Sequence, residues 1–370
     1  MRTLGDYKEG LLLFQNQEYK NAVSCFVNGL NFGNRLQNYA LQEAIKSCGV
    51  EVETIQSAKS VKCSVLLSAA RRKAKLLLKN EKRRQCFKQF DKSYVKYADK
   101  VRYENINESE FADRYDAFVA GSDQVWNPNF HFNSDFEFAT FADKCKRFSY
   151  AASIGVSEIK PEHQKDFIKN IQGMRAISVR ESDSIELVEK LCKRQAQIHV
   201  DPTMLLSRED YYKIEQMPPQ GLPQKYLLVY FLGNVPVKYR EKINILADKL
   251  GLEVVELSEL KGTKYYDIGP QHFLYAINHA DYICTDSFHG TVFSILFQKQ
   301  FSIFIRTDND VPMNSRIETL VDKFEVRDRL AAQMDVDSAM KPIDYKKIEE
   351  ILVSERKKSQ EYLHEISKMW

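Results

Sequence analysis

At 370 residues the chain is too long for one ordinary hydrophobic core, so two domains are expected. Lys and Arg number 54 against 51 Asp and Glu, a net charge of +3, which excludes a general nucleic-acid binder and confines any electrostatic message to local patches. Seven scattered cysteines with no C-x-x-C pair suit a reducing cytoplasm better than a disulfide framework or a zinc site.

Near the N-terminus the apolar run at 11–14 is too short for a secretory signal or a membrane span. The first ordered element is a strand over 22–27, which passes through a loop ending at Asn34 into a helix over 35–47 and then a strand over 50–55. Strand, Gly-containing loop and helix open a mononucleotide-type α/β domain. In such a domain the loop backbone and helix N-terminus face an anionic or sugar ligand. Asn31, Gly33 and Asn34 are the candidate contacts there, with Gly33 as a plain turn residue the competing reading.

Residues 71–100 hold twelve Lys or Arg against only Glu81, Asp91 and Asp99, with Leu76, Leu77, Leu78, Cys86, Phe87 and Phe90 interleaved. A basic helical segment over about 64–100 either rests on an anionic membrane surface or packs on its own domain with its charges solvated. A buried strand over 115–121 then ends in Ser122-Asp123-Gln124-Val125-Trp126-Asn127-Pro128. Ser122, Asp123 and Trp126 are candidate contacts, Trp126 either stacking on a sugar face or closing a core beside Pro128. Strands over 147–153 and 176–182 flank a helix that begins at Pro161, and Arg180 stands where the second strand yields to a helix over 183–193. A guanidinium in that place suits bidentate hold on a carboxylate or phosphate, and an ion pair with Glu181 is the alternative. A strand over 198–203 closes this half.

Pro218, Pro219, Gly221 and Pro223 mark a linker. Beyond it strands over 226–232, 252–257, 281–286 and 301–306 alternate with helices over 237–250 and 270–279 and one from 288. The expected organisation is an N-terminal domain over 1–217, a C-terminal domain over 218–344, and a charged amphipathic helix over 345–370 packing across both. Two hinged α/β units predict a cleft. Asp286-Ser287-Phe288-His289-Gly290 forms the strand-to-helix turn at a strand's carboxyl end, where such crevices lie. His289 there either donates a proton to a ligand or only hydrogen-bonds its own turn.

Six stretches in this order, Asn31-Phe32-Gly33-Asn34-Arg35-Leu36-Gln37-Asn38-Tyr39-Ala40-Leu41-Gln42, Gly121 to Trp126, Ser178-Val179-Arg180-Glu181, Asp201-Pro202-Thr203, Asp286 to Gly290 and Ser315-Arg316-Ile317, resemble the polysaccharide pyruvyl transferases. The resemblance spans about residues 21 to 330. It implies two Rossmann-like domains facing across a cleft, like the GT-B glycosyltransferases, and transfer of pyruvate from phosphoenolpyruvate to a sugar as a cyclic ketal. It further implies His289 and Arg180 as the reacting pair, with Asn31, Gly33, Asn34, Ser122, Asp123, Trp126, Glu181, Asp286, Ser287 and Gly290 around the substrates. Arg306 and Arg316 are the candidates for a further donor-binding base. No metal or cofactor is implied beyond the phosphoenolpyruvate donor. The acceptor is a sugar or lipid-linked oligosaccharide of a bacterial surface glycan, met in the cytoplasm or at the inner membrane face. The two rival expectations are a nucleotide-sugar glycosyltransferase of the same fold and a non-catalytic glycan-binding member.

Overall fold

The computed structural model describes residues 20–24, 30–55, 57–58, 81–99, 101–102, 110–129, 136–258, 262–306, 315–332 and 335–370. The second half of the expected first strand, and residues 64–80 and 100 of the expected basic segment, lie outside these residues.

The chain is α/β, built on two parallel sheets. The first has the order β2-β1-β5-β6, from β1 (Lys20–Ser24), β2 (Glu51–Thr54), β5 (Phe118–Ala120) and β6 (Arg147–Ser149). Single bridges from Phe148 to Ala176 and from Ala152 to Val179 attach β7 (Ser178–Val179), which pairs with β8 (Gln197–Ile198). Past β2 the sheet runs on through a bridge from Thr54 to Tyr97 and the short parallel pair β3 (Ser57–Ala58) and β4 (Val101–Arg102). The second sheet has the order β10-β9-β11-β12, from β9 (Tyr226–Phe231), β10 (Glu253–Ser258), β11 (Tyr282–Thr285) and β12 (Gln300–Ile303). In both, the first strand sits inside the sheet and the chain winds outward to either side, the doubly wound arrangement. The whole of β9, Tyr-Leu-Leu-Val-Tyr-Phe, is buried, as a central strand covered on both faces must be.

The helices are α1 (Phe32–Lys46), α2 (Glu81–Tyr94), α3 (Pro161–Gln172), α4 (Ser182–Cys192), α5 (Val237–Leu250), α6 (Pro270–Asn278), α7 (Phe288–Leu296), α8 (Ser315–Lys323) and α9 (Tyr345–Ser367). Their limits follow local chemistry. Pro161 opens α3, and α5 buries Ile243, Leu246 and Ala247 on one stripe before stopping at Gly251, whose φ of 64° is the left-handed conformation a helix end uses.

One apolar core runs through both halves. Phe32, at the head of α1, stacks on Phe273 of α6 at 5.0 Å and on Phe87 of α2 at 5.5 Å, and lies 6.1 Å from Tyr230 of β9. Helix α9 touches both sheets' surroundings. The Tyr345 hydroxyl donates to the carbonyls of Ser294 and Lys299, Arg356 donates to the carbonyls of Met204 and Leu206 at 2.6 Å each, and Tyr362 donates to the carbonyl of Ser149 at 2.9 Å.

The described part of the basic segment corrects one expectation. Arg83 does not face solvent or lipid: only 1 % exposed, it donates to the carbonyls of Leu30 and Tyr266 at 2.8 Å each, its guanidinium lying over Phe32 and Tyr266. A buried guanidinium needs such partners, and here they come from both halves, so Arg83 ties them together. Among the described residues, no helix is long and apolar enough to cross a membrane.

Two buried histidines make the fold acid-sensitive. Burial pushes His199 down to about 3, helped by Lys358 and Lys323, and burial alone pushes His272 down to about 4. The Nδ1 of His272 accepts from the Gly269 N–H at 2.9 Å, a bond that a proton on that nitrogen would abolish. Both folded values lie below the value of about 6.5 in an unfolded chain. The stabilisation is therefore complete above pH ~6.5 and is lost as pH falls, by about 2 kcal/mol per histidine at pH ~5. Urea midpoints should fall between pH 7.5 and 5, and the slope should flatten in the His199→Gln/His272→Gln double variant; an equal slope in both proteins would rule these histidines out as its source.

Candidate functional site

The turn between β11 and α7 is held by its own residues. The Ser287 hydroxyl caps α7 by accepting from the Gly290 N–H at 3.2 Å, while the Thr285 hydroxyl donates to the Tyr230 carbonyl at 2.6 Å and accepts from the Ser287 N–H at 3.1 Å. A Cβ on Gly290 would lie 2.3 Å from the Thr285 oxygen, so only glycine lets the helix sit this close to the strand. Ser287 and Gly290 thus shape the turn. Asp286 accepts from the Leu232 N–H at 2.9 Å and from Arg306 Nε at 3.2 Å; burial raises its carboxyl against the opposing pull of Arg306.

His289, 6 % exposed, is placed by two approaches. Its Nε2 lies 3.6 Å from Asp201 Oδ2, within ion-pair range but beyond hydrogen-bond reach, and makes no hydrogen bond. The ring lies against Gly33 in the first turn of α1, where a Cβ would be 2.2 Å from Nδ1. Gly33 therefore contributes an absence of side chain. Asn31 caps the same helix, accepting from the Asn34 N–H at 2.9 Å, and the Asn34 amide donates to Asp123 at 3.1 Å. Asp123 has a φ of 60°, a left-handed conformation that Asp tolerates better than most residues.

On the other side stands Arg180, 4 % exposed. Its Nη1 donates to Asp201 Oδ2 at 2.6 Å and to the Ser122 hydroxyl at 3.3 Å, its Nε donates to Glu181 at 3.0 Å, and its guanidinium lies 4.3 Å from the Phe288 ring centre. Nη2 is buried with no partner. The ion pair with Glu181 is real, and it uses one edge of the guanidinium and leaves this nitrogen over. Burial opposes the charge of Arg180, but Glu181, Asp201 and Asp123 outweigh it and raise its pKa. Arg316 is pushed down to about 10 by burial and by the like charge of Arg180, and the Gln124 amide oxygen, when turned toward it, accepts from its Nε and Nη2 at 3.2 Å. Arg306 adds to the repulsion. Arg316 thus feels two other guanidiniums, one of which, Arg180, meets His289 at Asp201, a setting that favours an anion nearby.

Asp201, absent from the candidate list, joins this group. Its Oδ1 accepts from the Thr203 N–H at 3.0 Å and hydroxyl at 2.7 Å, which leaves Oδ2 to Arg180, to the Ser122 hydroxyl at 3.0 Å and to His289. Burial alone would raise its carboxyl; His289, Arg180 and Thr203 hold it well below the usual carboxylate range. Its only sequence signal was the Asp201-Pro202-Thr203 stretch, which does not show the partners of the second oxygen.

Trp126 does not belong with these residues. It is fully buried, stacked on Phe138 at 5.2 Å with planes 6° apart, and its indole N–H donates to the Glu137 carbonyl at 3.2 Å. No face is left for a sugar, because the aromatic partner comes from a segment that the local sequence around Trp126 does not announce.

Changing Gly33→Ala should favour the helix intrinsically by up to about 1 kcal/mol yet displace His289. A shift of ~1 Å in a reacting group can cost about 10²-fold, so turnover should fall by about that factor while the far-ultraviolet circular dichroism stays the same. Wild-type turnover would mean that the histidine is not constrained by this approach.

A two-lobed α/β protein with a buried histidine and three arginines at the junction of its halves is suited to handling a small anionic substrate. The family model described as polysaccharide pyruvyl transferase matches residues 31–309, and the chain belongs to that family. The comparison with curated proteins gives no match. Among solved structures, UDP-GlcNAc 2-epimerase from Methanocaldococcus jannaschii is similar at 11 % identity, covering 91 % of each chain with a TM-score of 0.49. A Listeria monocytogenes protein described as a UDP-N-acetylglucosamine 2-epimerase is similar at 11 % identity, covering 94 % of this chain and 91 % of that one, with a TM-score of 0.48. Likeness of this degree says nothing about substrate.

Proposed function

We propose that the protein transfers pyruvate from phosphoenolpyruvate to two hydroxyls of a sugar in a bacterial surface glycan, forming a cyclic ketal. The observation that carries this reading is the convergence of His289 and Arg180 on one carboxylate oxygen of Asp201, each with a buried nitrogen left unpartnered, beside Arg306 and Arg316. Arginines hold the donor's carboxylate and phosphate and offset their charge. A protonated His289 delivers its proton to C3 of the enol, which becomes the methyl group and leaves an oxocarbenium-like C2. One sugar hydroxyl bonds to C2 and gives up its proton, and the C2–O bond to phosphate breaks with its electron pair going to phosphate. A second hydroxyl then bonds to C2 and releases its proton. One proton is consumed at C3 and two are released, one of them to the leaving phosphate. Asp201 lies 3.6 Å from the imidazole and holds Arg180 at 2.6 Å, so one carboxylate orients both groups.

The acceptor would be met on the cytoplasmic side. Of the described basic residues on α2, only Lys82, Lys88 and Lys92 are exposed and free to meet an anionic lipid surface, since Arg83 is internal.

The direct test is a thermal shift with phosphoenolpyruvate beside a set of nucleotide sugars. A ligand at 100 times its dissociation constant adds about 2.7 kcal/mol of stability. Stabilisation by phosphoenolpyruvate and not by nucleotide sugars is expected; the reverse pattern would make the protein a nucleotide-sugar glycosyltransferase instead.

A further inference from the structure

A cavity of about 950 Å³ lies between the start of α3, the start of α4 and the outer face of α8. One wall comes from the first half, including Ser157, Lys160, Ser182 and Asp183, and the other from α8, including Ser315, Glu318 and Thr319. The two walls touch where the Ser182 N–H donates to the Thr319 hydroxyl at 3.3 Å. The cavity adjoins the arginine cluster along the chain, since Ser182 follows Glu181 and Ser315 precedes Arg316.

Resting on the pyruvyl-transfer reading, we infer that this cavity is the acceptor subsite and that it takes a run of several neutral sugar units. Small-molecule pockets span roughly 300–1,000 Å³, and this one lies at the upper end, far more room than phosphoenolpyruvate fills. Its polar lining is mainly hydroxyls and carboxylates, the groups that exchange hydrogen bonds with sugar hydroxyls, set among the apolar Val156, Pro161 and Ile198, which suit the C–H faces of sugar rings. The charge disfavours acidic glycans. Glu158 and Asp183 face Lys160, while Lys323 is paired with Glu355 at 2.6 Å and Glu318 and Asp322 share Arg327 at 2.7 and 2.6 Å, which leaves the lining a small negative balance. A chain of uronic acids would bring its carboxylates against this surplus of negative charge. The arginine cluster then serves the donor, and the cavity serves the acceptor.

Ser157 is exposed on the first wall, so Ser157→Trp fills space without disturbing the core. Asp183→Ala removes one hydrogen-bond acceptor. Binding of fluorescently labelled neutral and uronic-acid oligosaccharides is measured for wild type and both variants, with phosphoenolpyruvate affinity measured separately by calorimetry. Neutral oligosaccharides should bind wild type, at least tenfold weaker to Ser157→Trp and more weakly to Asp183→Ala, with phosphoenolpyruvate affinity the same in all three. Neutral binding untouched by both variants, preference for the uronic-acid chains, or no oligosaccharide binding at all would each overturn the assignment. Groove-dependent oligosaccharide binding without phosphoenolpyruvate binding would keep the subsite and remove the pyruvyl donor.

Discussion

His289→Asn is expected to bind phosphoenolpyruvate with near wild-type affinity and to lose transfer by about 10²–10⁴-fold, the usual worth of a positioned general acid. Asparagine keeps a polar side chain against Gly33 while removing the group that carries the proton, and the guanidiniums that hold the donor do not depend on the imidazole. Phosphate release measured with the wild-type acceptor present, together with calorimetric donor binding, separates the two effects. Undiminished turnover in this variant would remove His289 from the chemistry. Loss of donor binding together with turnover would instead make the histidine a donor ligand.

Arg180→Met should be the most destabilising single change at the site. It leaves the carboxylates of Asp201 and Glu181, both about 1 % exposed, without their shared cation. Removing one partner of a buried ion pair typically costs about 3–5 kcal/mol, because the charge left behind is neither solvated nor paired. Arg180→Lys keeps the charge but cannot reach Asp201, Glu181 and a ligand with one planar fork, so it should fold and bind phosphoenolpyruvate at least tenfold more weakly. Urea unfolding checks the first expectation and calorimetry the second. A methionine variant as stable as wild type would mean that the two carboxylates take up protons without penalty, and a lysine variant with full donor affinity would leave Arg180 a purely internal ion pair.

The alternation of strands and helices was readable wherever local chemistry decides. Pro236 and Gly251 bracket α5, and the apolar β11 meets the apolar α7 across a polar turn, so both elements stand where the sequence pattern places them. What sequence could not show is the choice between two uses of one side chain when the deciding partner is remote. Arg83 reads as one more charge in a basic run, and its fate is set by Tyr266, 183 residues on. Gln42 and Asn38, in the Asn31 to Gln42 stretch, are buried against the Thr54 hydroxyl of β2, at 2.5 and 2.9 Å, a structural use that the motif does not announce. Trp126 offered a sugar platform or, the commoner case, a core plug, and the stack on Phe138 makes it the plug. Asp201 entered only as part of a short stretch, and the partners of its second oxygen, Arg180 and Ser122, are remote in sequence.

His289 rides on the second sheet's helix, whereas Asp201 follows the last strand of the first sheet. The 3.6 Å approach of His289 to Asp201 is accordingly a property of the assembled pair of halves. The first half carries Arg180 and Asp201 and the second carries His289, Arg306 and Arg316, so on the proposed reading neither half alone would hold a working site.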